Sequence, residues 1–238
     1  MNNLPRTFAI SDIHGCLKQF KALVDKLNLV CTDTLVLMGD YVDRGSDSKG
    51  VIDYILELKK TYNVVTLLGN HESMMRDTLR SVSPVQKKNR RYIWEMNGGI
   101  ETLRSYGYTF QMFDDGVEFP DALNEHLDFI DGLSLYYETD THIFTHATPW
   151  QLEPIDEHDE VDLIWRRPSV SDKDGTYEHV SGKKVLCGHT AQPEGCPSVM
   201  SDKLLMIDTG CFFTGVLTAV MITDVGYKYY SAGGAYQN

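Results

Sequence analysis

Five short clusters in this 238-residue chain place carboxylates, imidazoles and an amide where metal-assisted hydrolysis would need them: Asp12 with His14, Asp40 with Asp43 and Arg44, Asn70 with His71, and the separate His146 and His189. A binuclear hydrolytic site requires a bridging carboxylate, further oxygen and nitrogen ligands, and an acid near the leaving group. Asp40 is the candidate bridge. Asp12 and His14, two residues apart, are expected to point the same way along an extended segment. Asn70 offers an amide oxygen, and His146 and His189 offer imidazoles to a second ion. Gly15, Gly39, Gly69 and Gly188 flank these residues, which suits backbone that approaches a crowded polar centre with no Cβ in the way.

Periodicity indicates the elements that must hold these residues. Thr7 to Ile10, Leu35 to Met38 and Val64 to Leu68 are apolar runs of strand length, and each ends in one of the clusters. Leu17, Phe20, Val24 and Leu27 recur at helical spacing up to about Asn28, and Val51, Ile55 and Leu58 form a second such face. The strand ends lie about 30 residues apart, the length of a parallel βαβ unit. The clusters should therefore share the carboxyl edge of one sheet, where α/β folds bind ligands. The second half is richer in strands: Leu133 to Glu138, His142 to Thr145, Val185 to Cys187, Leu204 to Ile207, Val216 to Ile222 and Tyr227 to Tyr230, expected as a largely antiparallel or mixed sheet. No Gly/Ser/Pro linker interrupts the chain, so one domain over 1–238 is expected, with 231–238 a flexible tail.

Composition narrows the function classes. With 34 acids against 22 bases the formal charge is −12, which opposes non-specific attraction to nucleic acid or an anionic membrane and is compatible with bound cations. No apolar run approaches the roughly 18 residues of a membrane span, and the start MNNLPRT lacks the basic and apolar blocks of a signal peptide. A cytoplasmic protein is expected. Five scattered cysteines (Cys16, Cys31, Cys187, Cys196, Cys211) with no CxxC indicate neither a disulfide framework nor a thiolate zinc site, and read as small core residues.

SDIHG (Ser11 to Gly15), GDYVDRG (Gly39 to Gly45) and GNHE (Gly69 to Glu72) resemble the signature of the phosphoprotein phosphatase family of metallophosphoesterases. WEMNGGIETL (Trp94 to Leu103), THATP (Thr145 to Pro149), LIWRR (Leu163 to Arg167), GHT (Gly188 to Thr190) and IDTG (Ile207 to Gly210) are similar to later blocks of its bacterial and phage members, in the same order. The resemblance implies an α/β four-layer sandwich, two mixed β-sheets packed face to face and flanked by helices. It implies two divalent ions, Mn²⁺ first with Fe or Zn²⁺ also suited, one held by Asp12, His14 and Asp40 and the other by Asp40, Asn70, His146 and His189. A hydroxide shared by the ions would attack phosphorus in line, with no phosphoenzyme. His71 would protonate the leaving group, Asp43 would orient that imidazole, and Arg44 and Arg167 would clamp phosphoryl oxygens; Arg166 fits the W-x-R spacing less well.

The same resemblance implies a phosphomonoester hydrolase acting on phosphorylated Ser or Thr, and also Tyr, in a protein or peptide. A dinucleoside polyphosphate hydrolase shares every metal motif; those enzymes tend to lack the acid matching Asp43, which ranks the phosphatase first. A cyclic-nucleotide or DNA phosphodiesterase would carry a second histidine where Ala191 stands. A silent phosphate-binding protein is the remaining class, and the complete ligand set argues against it. Glu72 is expected to orient a ligand, Asp208 and His142 to stand behind the ligands or in the core, and Cys16 and Cys211 to be buried. His126, His158 and His179 are assigned to the surface. The basic segment 76–91 (Arg76, Arg80, Lys87, Lys88, Arg90, Arg91) is expected to be a solvated helix and loop rather than a lining for acidic substrate.

Overall fold

A computed structural model describes residues 5–192 and 194–234. Strands β1 (Thr7–Ile10), β2 (Thr34–Leu37) and β3 (Asn63–Thr66) run parallel, connected by helices α1 (Leu17–Leu27) and α2 (Ser48–Leu58). Helix α1 stops at Asn28, whose left-handed backbone (φ 46°) closes the last turn. Helices α3 (Asn70–Leu79), α4 (Pro84–Trp94), α5 (Ile100–Ser105), α6 (Phe110–Asp114) and α7 (Asp121–Asp131) follow. The second half supplies β4 (Tyr136–Glu138), β5 (His142–Thr145), α8 (Glu160–Trp165), β6 (Lys184–Cys187), β7 (Ser198–Ser201), β8 (Leu204–Met206), α9 (Cys211–Thr214), β9 (Val216–Thr223) and β10 (Gly226–Gly233).

Two five-stranded mixed sheets result, in the orders β10-β9-β1-β2-β3 and β4-β5-β6-β8-β7. Side-chain alternation along the strands makes the layers. Phe8 and Ile10 of β1, with Leu35 and Leu37 of β2, pack outward on Phe20, Leu23 and Val51 of the first helices. Their neighbours Ala9 and Val36 turn the other way, to meet Phe144, Leu186 and Leu205 of the second sheet. The far face of that sheet buries Ile143, Val185 and Leu204 against Leu163 and Tyr177. No helix among the described residues is long and apolar enough to cross a membrane.

Several expectations need correction. β9 and β10 belong to the first sheet, beside β1, and not to the C-terminal one. Ser231 to Gly233 pair with Thr218, Leu217 and Val216, so these residues are strand rather than tail, while 235–238 lie outside the described residues. Strand β7, whose SVMS carries no alternation to betray it, went unread. The three histidines assigned to the surface are buried: His126 contacts Tyr106 Oη (2.7 Å) and Asp53, His158 contacts Pro154 O (2.9 Å), and His179 contacts Ser181 Oγ (2.8 Å). Of the cysteines, Cys31 and Cys196 are exposed. The basic segment lies on α3 and α4, where Arg76, Arg80, Arg90 and Arg91 pair with Glu160, Asp128, Asp131, Asp77, Asp114 and Glu95. Those acids come mostly from outside the segment, so the tertiary fold neutralises these four arginines.

Candidate metal centre

Each sequence cluster sits just past a strand's carboxyl end: Asp12 and His14 after β1, Asp40 to Arg44 after β2, Asn70 and His71 after β3, His146 after β5 and His189 after β6. Asp12 and His14 do not share a pleated segment as the two-residue spacing suggested. β1 stops at Ile10, and both residues adopt left-handed backbone, with φ of 55° and 45°. Their amides, with that of Gly15, donate to the carbonyls of Gly39, Asp40 and Tyr41 (3.2, 2.8 and 2.9 Å), which zips the first loop to the second.

Left-handed backbone is concentrated here. Of the seven non-glycine residues with positive φ among the described residues, six are Asp12, His14, Asp40, Asp43, Arg44 and His189. Such conformations cost roughly 1–3 kcal/mol each and persist where surrounding structure enforces them. Close approach is enforced too. A Cβ on Gly188 would overlap Ser11 Oγ and Asp12 Oδ2, and one on Gly39 (φ 89°) would lie 2.6 Å from Gly69 N and 2.9 Å from His146 Nδ1.

The donor set points to cations. Three imidazoles commit one ring nitrogen to a main-chain carbonyl: His14 Nδ1 donates to Val42 O (2.9 Å), His146 Nδ1 to Met38 O (2.9 Å) and His189 Nε2 to Trp165 O (3.1 Å). Each therefore turns a bare lone pair inward. His146 Nε2 and His189 Nδ1 face Asn70 Oδ1 at 3.0 and 2.9 Å, and His146 Nε2 is 3.4 Å from Asp40 Oδ1. Acceptors packed this closely repel one another unless a positive charge lies among them. The ligand atoms of Asp40, His146 and His189 all fall within 4.8 Å of one another.

A second group, His14, Asp40 and His71, meets the same 4.8 Å limit and shares Asp40 with the first. Here the Arg44 guanidinium serves as a stand-in cation, donating to His14 Nε2 (2.9 Å) and His71 Nε2 (3.0 Å). Asp12 stands just outside both groups. Its Oδ2 accepts from Ser11 Oγ and from the His189 amide (3.0 Å), which holds the carboxylate beside the ligand set, while His71 joins His14 and Asp40. Two oxygen-and-imidazole groups joined through one carboxylate fit a pair of divalent transition ions.

His71 and Asp43 form a separate dyad. Nδ1 of His71 donates to Asp43 Oδ2 at 2.7 Å, and the same carboxylate accepts from Trp94 Nε1 (3.0 Å) and Thr102 Oγ1 (2.6 Å). Trp94 and Thr102 give the WEMNGGIETL block its role, which is to hold the Asp43 carboxylate. Gly98 and Gly99 in that block are needed for contact, since a Cβ on Gly99 would lie 2.6 Å from the Trp94 indole.

Glu72 is a brace. Its two carboxylate oxygens accept from four amides, those of Asp40 (2.8 Å), Tyr41 (2.7 Å), Val42 (3.1 Å) and Gly69 (3.1 Å), fixing the loop that carries Asp40. Glu72→Ala leaves these donors orphaned in a buried setting, and the fold is expected to lose at least about 3 kcal/mol. A urea unfolding curve measures it, and a midpoint equal to wild type would contradict the bracing role.

Burial pushes the Asp12 carboxyl well above the usual range, with Asp208 adding repulsion; burial then Asp12 do the same to Asp40. Burial also raises Glu72 and Asp43 to about 7 and Asp208 to about 6. The imidazoles move the other way: burial lowers His14 and His146 well below their ordinary value and His189 to about 3, leaving them neutral and ready to ligate. An acid whose pKa rises on folding favours the fold below about pH 4, and that contribution is lost as pH climbs through its folded pKa. The metal-free protein thus carries a growing cost of buried carboxylate charge between pH 4 and 7, which bound cations offset. The rise in Tm on adding Mn²⁺ is expected to be larger at pH 8 than at pH 5, where the ion must displace protons from the carboxylates. Scanning calorimetry with and without chelator tests this, and a Tm rise larger at pH 5 would contradict it.

The two candidate arginines separate. Arg167 is exposed and donates to His189 O (3.3 Å), at the mouth of the centre. Arg166 turns away into an ion pair with Asp172 (2.6 Å). Asp208 is buried and accepts from Gly210 N (2.7 Å), while His142 contacts Thr141 and Tyr227 away from both groups.

Residues 5–216 match the model of the calcineurin-like phosphoesterases. The chain belongs to that family. It is a metal-dependent phosphoesterase with two buried His/Asp groups that suit a binuclear centre. Among its relatives, the symmetrical bis(5′-nucleosyl)-tetraphosphatase of Wigglesworthia glossinidia brevipalpis is 41% identical over 66 residues, 27% of this chain but only 24% of that enzyme. The corresponding enzyme of Nitrosospira multiformis is 26% identical across 96% of this chain and 97% of its own length. The solved structure of a candidate diadenosine tetraphosphatase superposes with a TM-score of 0.66 over 99% of this phosphoesterase and 96% of that chain, at 18% identity, which supports the fold.

Proposed function

We propose that this phosphoesterase hydrolyses a bis(5′-nucleosyl) tetraphosphate symmetrically, water adding across the central phosphoanhydride to give two nucleoside diphosphates. The near full-length alignment with the Nitrosospira tetraphosphatase carries the reading, and it outweighs the inference drawn from Asp43. Two divalent cations, when bound, would polarise the phosphoryl oxygens and lower the pKa of a nucleophilic water. Asp40 would serve both cations, with His14 and Asp12 on one side and Asn70, His146 and His189 on the other. Arg44 and Arg167 would bind phosphate oxygens through their planar forks, Arg44 leaving the histidines to do so. His71 would hand a proton from Nε2 to the leaving group while Asp43 accepts from its Nδ1.

A phosphoprotein or phosphopeptide substrate is the second reading, favoured by the 2.7 Å contact of His71 with Asp43. A positioned acid matters most for an alkoxide leaving group, which a phosphoanhydride lacks. Turnover of diadenosine tetraphosphate and of a phosphoserine peptide by the Mn²⁺-loaded protein decides between them. ADP as the sole nucleotide product supports the proposal; rapid peptide dephosphorylation with no dinucleotide cleavage overturns it.

A further inference from the structure

A cavity of about 440 Å³ is lined by Trp150, Gln151, Leu152, Arg166, Ser169 and Asp172 among others. That volume is in the range of small-ligand sites. Its wall is built on a buried ionic pair that the phosphoryl chemistry above does not use. Arg166, its side chain only 8% exposed, donates to Asp172 Oδ2 (2.6 Å) and to the carbonyls of Thr148 (3.1 Å) and Pro149 (3.2 Å). Asp172 is saturated by Ser169 N (2.7 Å), Ser169 Oγ (2.8 Å) and Gln151 Nε2 (2.9 Å), whereas Arg166 Nε is buried with no partner among the described residues.

On this base rests an indole. The Arg166 guanidinium carbon lies 3.8 Å from the Trp150 ring centroid, covering one face, and the residue remains 44% exposed, which leaves the other face open. Trp150 is also held by two hydrogen bonds: Nε1 donates to Asp162 (3.0 Å) and its amide donates to His158 Nε2 (2.9 Å), His158 being itself fixed by Pro154 O. A half-exposed aromatic ring this firmly oriented is a stacking platform.

The chain connects the cavity to the centre through two short segments. Trp150 follows His146 by four residues, a reach of at most roughly 14 Å. Arg166 lies between Trp165, whose carbonyl holds His189, and Arg167, which reaches His189 O. From these observations we infer that the Trp150 cavity is the subsite for one nucleobase of the substrate, an inference that rests on the dinucleotide reading above.

The test uses full-length protein turning over p-nitrophenyl phosphate, with ADP and inorganic pyrophosphate as paired inhibitors that share two phosphates and differ by the nucleoside. In Trp150→Ala, inhibition by ADP is expected to weaken about tenfold or more, the scale of one lost base stack, with inhibition by pyrophosphate little changed. Trp150→Phe, which keeps an aromatic face and the fold, should recover most of it. Quenching of indole fluorescence by ADP in a Trp165→Phe background should also vanish in Trp150→Ala. Equal weakening of both inhibitors, or none, overturns the subsite. Wild-type cleavage of diadenosine tetraphosphate is scored separately. A positive result there with an unchanged ADP response sinks the subsite alone; no cleavage with a lost ADP response sinks the substrate reading alone.

Discussion

Asp40→Asn is expected to reduce bound metal from two ions per chain to one or none and to lower kcat on the order of a thousandfold. Both carboxylate oxygens are engaged: Oδ1 faces His146 Nε2 at 3.4 Å and Oδ2 faces His14 Nε2 at 3.4 Å. An asparagine keeps one oxygen and turns an N–H₂ toward the other lone pair, replacing ligand with hydrogen-bond donor. It also removes a buried negative charge that burial and Asp12 disfavour. The metal-free variant should therefore melt no lower than metal-free wild type, which separates lost metal from lost fold. Elemental analysis beside thermal melting checks both parts, and a variant retaining two ions would contradict the bridge.

His71→Asn should show an effect that depends on the leaving group. With an alkyl phosphomonoester the loss is expected to reach about 10²–10⁴-fold, the usual worth of a positioned general acid. With a tetraphosphate, whose leaving phosphate departs as a stabilised anion, the loss should be far smaller. Trp94→Phe removes one donor to Asp43 and should move the same way by a lesser amount. Rate constants on a series of esters of graded leaving-group pKa supply the measurement; a uniform loss across the series would assign His71 to structure or metal binding instead of proton transfer.

The first three strands and both connecting helices were legible because each strand is an apolar run that ends in a polar cluster, each helix shows an apolar face at helical spacing, and parallel pairing forces the strands' polar ends together. Asp40, Asn70, His146 and His189 converge as those ends require. Asp12 could not be placed the same way. Its direction depends on a left-handed turn whose shape is fixed by amides bonded to the Gly39 and Asp40 carbonyls, contacts made across the sheet. The return of β9 and β10 to the first sheet was equally hidden, since a hairpin's own pattern does not say which edge it joins. His158 read as a surface residue because its partners, the Trp150 amide and the Pro154 carbonyl, are main-chain groups that leave no trace in residue types. The substrate was the least legible feature, because the motifs describe a reaction shared by enzymes that act on different phosphate esters and anhydrides.

The protons of His14, His146 and His189 are held by the carbonyls of Val42, Met38 and Trp165. A main-chain oxygen is common to all twenty amino acids, so no codon change at those three positions deletes one. Ligand orientation is inherited with the fold, whereas Trp150 and the arginines are exposed to drift. Over descent, lineages sharing this scaffold should diverge in what they cleave well before they lose the capacity to cleave.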